Sequence, residues 1–246
     1  MPVALTCLGT SDAFGSVGRH CAGYLVDTPG ARLLLDAGPS VLSALKAQQR
    51  RSSEIDAVVV SHLHGDHFGG IAFLFLEYRW EEPRQRPLVI AGPPGIEERV
   101  FAVYHALYAD ARDEELPFAL EFCELGDGDA REMGDVRVET FRVPHQRRAL
   151  SLGMRLRVGG RTLVYSGDTT WTPDLLEKSR GADLLLCECS VLRGPHPTHV
   201  SYTDIEANRR SFDCGSLLLT HLGREVREHA RDIPERLADD GLVVRL

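Results

Sequence analysis

Short apolar runs bounded by turn residues recur along the chain, the pattern of buried strands. They predict strands over Val3–Leu8, Ala22–Val26, Arg32–Asp36, Ala57–Ser61, Leu88–Ala91, Phe118–Leu125, Val136–Phe141, Leu152–Val158, Thr162–Tyr165, Asp183–Cys187 and Ser216–Thr220. Gly128, Gly134, Gly159, Gly160 and Gly181 punctuate them where turns are expected. Apolar positions at helical spacing predict helices over Ser40–Gln49, Gly95–Tyr108, Pro173–Lys178, Thr203–Phe212 and Val226–Ala238, the first behind Pro39 with Ser40 as its cap. Many strands with helices inserted at intervals imply two packed sheets covered by helices on the outside. The absence of repeats, low-complexity tracts and Gly/Pro/Ser-rich linkers predicts one domain over 1–246.

Composition narrows this reading without changing it. With 246 residues, 43% apolar and 26% charged, the chain suits a folded domain with a substantial core. No apolar run approaches the roughly 20 residues of a membrane span, and Met1 to Cys7 lack a basic start and an apolar run for export. A cytoplasmic protein is expected. The six cysteines, Cys7, Cys21, Cys123, Cys187, Cys189 and Cys214, are scattered among strand-like segments and read as reduced thiols. A net charge of −8 argues against a general nucleic-acid binder. Basic clusters at Arg50-Arg51, Arg84 with Arg86, Arg147-Arg148 and Arg209-Arg210 read as solvated patches, one of which could still steer an anion into a cleft.

The strongest chemical signal follows the run Ala57–Val60: Ser61-His62-Leu63-His64-Gly65-Asp66-His67. Imidazole and carboxylate donors suit zinc, and also manganese or ferrous iron. Residues two apart on extended chain project to one side, so His62 and His64 can grip one ion. Gly65 would permit a sharp turn carrying Asp66 and His67 to a second, and Gly69-Gly70 would admit a close backbone approach. Three further donors end apolar runs: His145 after Phe141–Pro144, Asp168 after Leu163–Gly167, and His221 after Leu217–Thr220.

That order, H-x-H-x-D-H, a lone His, an Asp in Ser-Gly-Asp-Thr and a final His, resembles the metallo-β-lactamase superfamily. The resemblance runs from Leu8-Gly9-Thr10 and Leu33–Gly38 to Thr220-His221-Leu222. It implies an α/β fold, a four-layered αββα sandwich. It also implies two divalent cations: His62, His64 and His145 on the first, Asp66, His67 and His221 on the second, Asp168 bridging, and Asp36 orienting ligands through hydrogen bonds. A histidine, not a cysteine, between the first loop and the bridging Asp resembles the phosphodiesterase and nuclease branch. In ribonuclease Z-like enzymes a Glu and a His form a proton-donating pair, which Glu188 and His199 would supply here, though Val200-Ser201 follows His199 where those enzymes have Ser-Thr. Asp66, Glu188 and His199 are thus the candidate catalytic residues, with His196 an alternative donor. His20, His105 and His229 lack such surroundings.

Two cations sharing a water lower its pKa toward about 7 and stabilise charge on substrate oxygens. A small anionic substrate is expected, a cyclic or other small phosphodiester. RNA 3′ ends are the less favoured substrate, because Leu88–Gly95 runs into Ile96–Tyr108 without a Gly/Pro-rich arm. A carbonyl hydrolase (lactonase, thioesterase or β-lactamase-like) is the alternative, since the same site would serve, and a non-catalytic metal-binding protein the third reading. The resemblance admits a homodimer and implies no membrane partner. Leu74–Trp80 and Phe118 could either line a pocket or pack in the core.

Overall fold

The computed structural model describes residues 3–246; Met1 and Pro2, where the export reading begins, lie outside it. Among the described residues, fourteen strands form two mixed sheets. The first holds β1 (Ala4–Gly9), β2 (Gly23–Asp27), β3 (Arg32–Ala37), β4 (Ala57–Val59), β5 (Leu88–Gly92), β6 (Leu120–Glu124) and, from the chain end, β14 (Val243–Arg245), in the order β14-β1-β2-β3-β4-β5-β6. The second holds β7 (Ala130–Met133), β8 (Val136–Arg142), β9 (Leu152–Val158), β10 (Arg161–Tyr165), β11 (Leu184–Glu188), β12 (Leu217–Thr220) and β13 (Arg236–Leu237), in the order β13-β12-β11-β10-β9-β8-β7. Each sheet is antiparallel on one side and parallel on the other: β3, β4, β5 and β6 run together, as do β10, β11, β12 and β13.

Residues alternate across a strand, so each sheet feeds two cores. Leu33 and Leu35 of β3 meet Leu156, Leu163 and Leu186 between the sheets, while Leu34 joins Val58, Val60 and Ile90 on the outer face. That outer face is covered by α1 (Val41–Ala47), α3 (Ile71–Trp80) and α4 (Ile96–Leu107), through Leu45, Phe75 and Val100. The second sheet is covered by α5 (Asp174–Ser179), α6 (Tyr202–Asn208) and α7 (Arg224–Glu228), through Leu175, Ile205 and Val226. The layers are therefore helix, sheet, sheet, helix, as expected. A four-residue helix, α2 (Gly65–Phe68), sits at the rim. Among the described residues no helix is long and apolar enough to cross a membrane. No cysteine is in a disulfide.

Several expectations are corrected. The helix over Val226–Ala238 stops at Glu228, and Arg236–Leu237 instead pairs with β12. Pro234 has no N–H to donate and pushes Ile233 out of helical geometry. The helix expected over Thr203–Phe212 begins at Tyr202 behind a capping box of Ser201 and Asp204, and ends at Asn208 in a short 3₁₀ turn. Ser40 stands at the N-cap of α1, but its hydroxyl caps no helix N–H and instead accepts from the Cys21 N–H. Arg84 is no solvated residue: it is buried over the Tyr78 ring and donates to the carbonyls of Ser53, Arg86 and Pro87. Leu74, Phe75, Tyr78 and Phe118 belong to the core, whereas Trp80 is exposed.

Candidate metal centre and active site

Parallel strands all end at one rim, and that rim collects the ligand-type residues. His62 and His64 follow β4, Asp66 and His67 lie in α2, and His145 follows β8. Asp168 follows β10, Glu188 ends β11, His221 follows β12, and His199 lies in the loop before α6. The chain turns at Gly65 from extended His64 into α2, without a left-handed φ. The glycine that matters is Gly70, whose N–H bonds the Ala37 carbonyl. An added Cβ there would stand 2.1 Å from the Gly38 oxygen, so α2 is clamped against the end of β3.

The seven donors fall into two groups, His62, His64 and His145, and Asp66, His67, Asp168 and His221. In the first, His64 Nδ1 lies 3.1 Å from Nε2 of His62 and 3.1 Å from Nε2 of His145. In the second, His67 Nε2 and His221 Nε2 are 3.3 Å apart, and His221 Nε2 is 3.4 Å from Asp66 Oδ2. Donors about 2.0–2.1 Å from one tetrahedral zinc stand about 3.3 Å from each other, so these spacings fit shared cations. Between the groups lies Asp168, with Oδ2 3.2 Å from His67 Nε2, 3.5 Å from His221 Nε2 and 3.8 Å from Nε2 of both His62 and His145. Its Oδ1 is buried with no hydrogen-bond partner. A buried carboxylate with one oxygen facing ring nitrogens and the other without a partner is suited to a cation.

The outward nitrogens explain why the rings face inward. His145 Nδ1–H donates to the Thr198 carbonyl at 2.7 Å, and His67 Nδ1–H to Asp36 Oδ2 at 2.8 Å. Asp36 also accepts from the Ser61 N–H and hydroxyl and from the Tyr165 hydroxyl. Ser61 Oγ in turn lies 3.0 Å from His62 Nδ1. His221 Nδ1 is 2.8 Å from Ser190 Oγ. Each such bond fixes a tautomer and points the other nitrogen at the site. Asp36 and His221 both adopt a left-handed φ, 55° and 52°, a conformation that non-glycine residues keep only where their surroundings over-determine it. Ser61, Tyr165 and Ser190 were not singled out by the sequence reading. The available signal was a hydroxyl residue beside each strand-end donor.

Electrostatics agree with the geometry. Burial holds the imidazoles of His62, His64 and His145 below their ordinary pKa, which keeps them neutral as metal donors must be. Burial also opposes charge on His67 and His221, but Asp168, with Asp36 beside the first and Asp66 beside the second, pushes both upward. Burial works against ionisation of Asp66 and Asp168 as well, yet His221 and His67 hold both carboxyls well down. The rim thus gathers buried negative charge that protons or divalent cations must balance.

Beside this cluster, His199 Nδ1 lies 2.9 Å from Glu188 Oε1, and its ring stacks on His221 with centroids 5.6 Å apart. Burial lowers the His199 pKa and the Glu188 hydrogen bond outweighs it, so the net shift is upward. His196 sits 5.4 Å from His199, ring to ring, and its Nδ1 meets Thr198 rather than a carboxylate. His20 contacts Asp240, His105 stacks on Phe101, and His229 bonds Glu225; none joins the site. A cleft of about 750 Å³ opens against His64 and His145, with Arg147 and Arg148 on its wall.

Comparison with known proteins agrees on the family and branch. The chain is 30% identical over 194 residues to a ribonuclease Z of Mycolicibacterium paratuberculosis, covering 75% of this chain and 69% of that one. It is 27% identical over 296 residues to a ribonuclease Z of Bradyrhizobium, covering 96% and 97%. The metallo-β-lactamase fold protein YhfI of Bacillus subtilis superposes with a TM-score of 0.79 over all of both chains at 23% identity. The short form of human tRNase Z superposes at 0.77 over 98% of each at 22% identity. These likenesses, with the cluster of histidines and aspartates, make the protein a metal-dependent hydrolase of the ribonuclease Z-like branch of the metallo-β-lactamase superfamily. The family described as Anti-Pycsar protein Apyc1 matches residues 3–236, and the chain belongs to it.

Proposed function

We propose that this metallo-hydrolase cleaves small or cyclic phosphodiesters. His62, His64 and His145 would hold one divalent cation and Asp66, His67 and His221 a second, with Asp168 available to both. The observation that carries the reading is Asp168 itself: fully enclosed, its Oδ2 facing four imidazole nitrogens and its Oδ1 without a partner. Zinc suits the donor set best. When bound, the pair of cations supplies an activated water and neutralises charge on the phosphate oxygens.

The chain supplies what remains. Thr198, Asp36 and Ser190 keep the ring nitrogens aimed at the cations. Glu188 accepts from His199 Nδ1 and holds the imidazole protonated, so that Nε2–H can pass its proton to the departing oxygen. A thioester hydrolase does not need that donor, because an expelled thiolate leaves without a proton. Long RNA is disfavoured by the net charge of −8. The Bradyrhizobium alignment also runs over more positions than this chain has residues, so that nuclease carries segments with no counterpart here.

The deciding experiment is a substrate panel on zinc- or manganese-loaded protein: bis(p-nitrophenyl) phosphate, 3′,5′-cyclic nucleotides, phosphomonoesters, lactones and thioesters. Turnover of the phosphodiesters supports the reading. Activity confined to lactones or thioesters overturns it.

A further inference from the structure

Two threonines follow Asp168, and their hydrogen bonds tie together three loops far apart in the chain. The Thr169 N–H donates to Glu188 Oε1 at 2.9 Å, and the Thr170 N–H donates to the Pro144 carbonyl, next to His145, at 2.8 Å. The Thr170 hydroxyl donates to the His196 carbonyl at 2.9 Å. The first two bonds use the backbone, which any residue supplies. The third depends on the side chain at 170, and neither the cations nor the proton donor accounts for it.

That hydroxyl holds the segment leading to His199. Between Leu192 and Val200 the chain forms neither helix nor strand. Within it, His196 to Thr198 close on themselves, with the Thr198 N–H and hydroxyl 3.4 and 3.3 Å from His196 Nδ1. Pro195 and Pro197 restrict the backbone further, so the turn moves as a unit. Among the described residues it makes two hydrogen bonds to the rest of the protein: the His196 carbonyl to Thr170, and the Thr198 carbonyl to His145 Nδ1 at 2.7 Å. His199 comes next, with Nδ1 on Glu188 Oε1. Two anchors fix the orientation of a turn, whereas one leaves it free to pivot. A displacement of about 1 Å at a reacting group can cost about 10²-fold in rate.

We infer that Thr170 is a positioning residue for the proton donor: its hydroxyl holds the His196–Thr198 turn so that His199 presents Nε2–H to the departing oxygen. The inference rests on the phosphodiesterase reading with His199 as donor. The proton still passes from Nε2 to the leaving alkoxide as the P–O bond breaks, and Thr170 gives up none. Both Thr170 and His196 are half-buried, so water can satisfy the carbonyl once the hydroxyl is gone and the fold survives the loss.

The test uses the whole zinc-loaded chain and four variants: Thr170→Val, Thr170→Ser, His199→Ala and the double variant Thr170→Val/His199→Ala. On a 3′,5′-cyclic nucleotide, whose leaving group is an alkoxide, Thr170→Val should lower kcat about tenfold or more with KM within about twofold. Thr170→Ser should recover most of that, and the loss on bis(p-nitrophenyl) phosphate should be smaller. Without His199 the hydroxyl has nothing to position, so the double variant should match His199→Ala within about twofold. Trypsin cleavage after the exposed Arg193 reads the turn independently of catalysis, and Thr170→Val should speed it about tenfold relative to cleavage elsewhere. A cost of hydroxyl removal as large without His199 as with it overturns the inference. So does a loss of zinc affinity in Thr170→Val, which would place the effect on His145, or a Thr170→Val enzyme that behaves as wild type. Should Thr170→Val not fold, Thr170→Ala takes its place in the same cycle. If wild type hydrolyses no phosphodiester, the catalytic reading fails by itself, and equal tryptic rates in wild type and variant would remove the anchor as well.

Discussion

His199 Nδ1 lies 2.9 Å from Glu188 Oε1, and Glu188 is almost wholly buried while His199 remains partly exposed. A carboxylate in that position stabilises the imidazolium. The raised His199 pKa means the acid form persists above the ordinary 6.5 and is lost as pH rises through the folded value. Glu188→Gln should therefore move the alkaline fall of kcat to lower pH and reduce kcat by about 10²-fold, with metal content unchanged. A pH–rate profile checks this; an unmoved alkaline limb would remove the pair from the proton transfer.

His199→Ala should lower phosphodiester turnover by about 10²–10⁴-fold for poor leaving groups. The loss should be much smaller for p-nitrophenolate, which departs without a proton. Rates for alkyl and p-nitrophenyl esters, measured side by side, give the comparison. Equal losses on both would mean the ring serves binding rather than protonation.

Ser190 joins this pair to a ligand residue. Its hydroxyl lies 2.8 Å from His221 Nδ1 and 3.1 Å from Glu188 Oε2, and it also bonds the His221 carbonyl at the left-handed φ. Ser190→Ala should weaken zinc binding by about 10–100-fold, the usual effect of losing a partner that orients a metal-binding histidine. Competition with a chromogenic chelator measures it, and Ser190→Thr should recover most of the loss. Unchanged affinity in the alanine variant would contradict the role.

Away from the site, Glu82 ties the end of α3 to the turn at Ser52 and Ser53. Burial raises its pKa, but hydrogen bonds from Arg51, Ser53 and Ser52 outweigh that and hold the carboxyl at about 2. A depressed folded value contributes stability that is complete above the ordinary 4.5 and lost as pH falls toward 2. Glu82→Gln should cost about 1–2 kcal/mol at pH 7 after solvent screening, and the difference from wild type should shrink below pH 4. Urea unfolding at several pH values reads it; a difference independent of pH would assign the effect to packing.

Much of this was legible in the sequence because the strongest features are local. Leu33–Leu35 and Leu184–Leu186 are buried on both faces, so they read as continuous apolar runs. The ligand-type residues stand at the ends of such runs, where a strand must stop and a rim begins. What escaped depended on partners distant in the chain. Strand β7 exposes all but Met133 and exists only by pairing with β8. Helix α3 is apolar on nearly every side, so it shows no period to distinguish it from a strand. Ser190, Tyr165 and the Thr198 carbonyl become meaningful only once β10, β11 and β12 bring them beside the histidines. Arg84 looked like surface because a charged residue alone does not announce three backbone carbonyls waiting for it.

Seven side chains from five segments converge because the parallel strands of two sheets end together, and their buried charge must be balanced by protons or divalent cations. Metal stoichiometry tests this most directly. Protein stripped with chelator, reloaded with zinc, desalted and analysed by mass spectrometry for metal should carry two ions per chain, and Asp168→Ala should carry one or none. A wild-type chain that retains no zinc, or an Asp168→Ala chain that still retains two, would contradict the account.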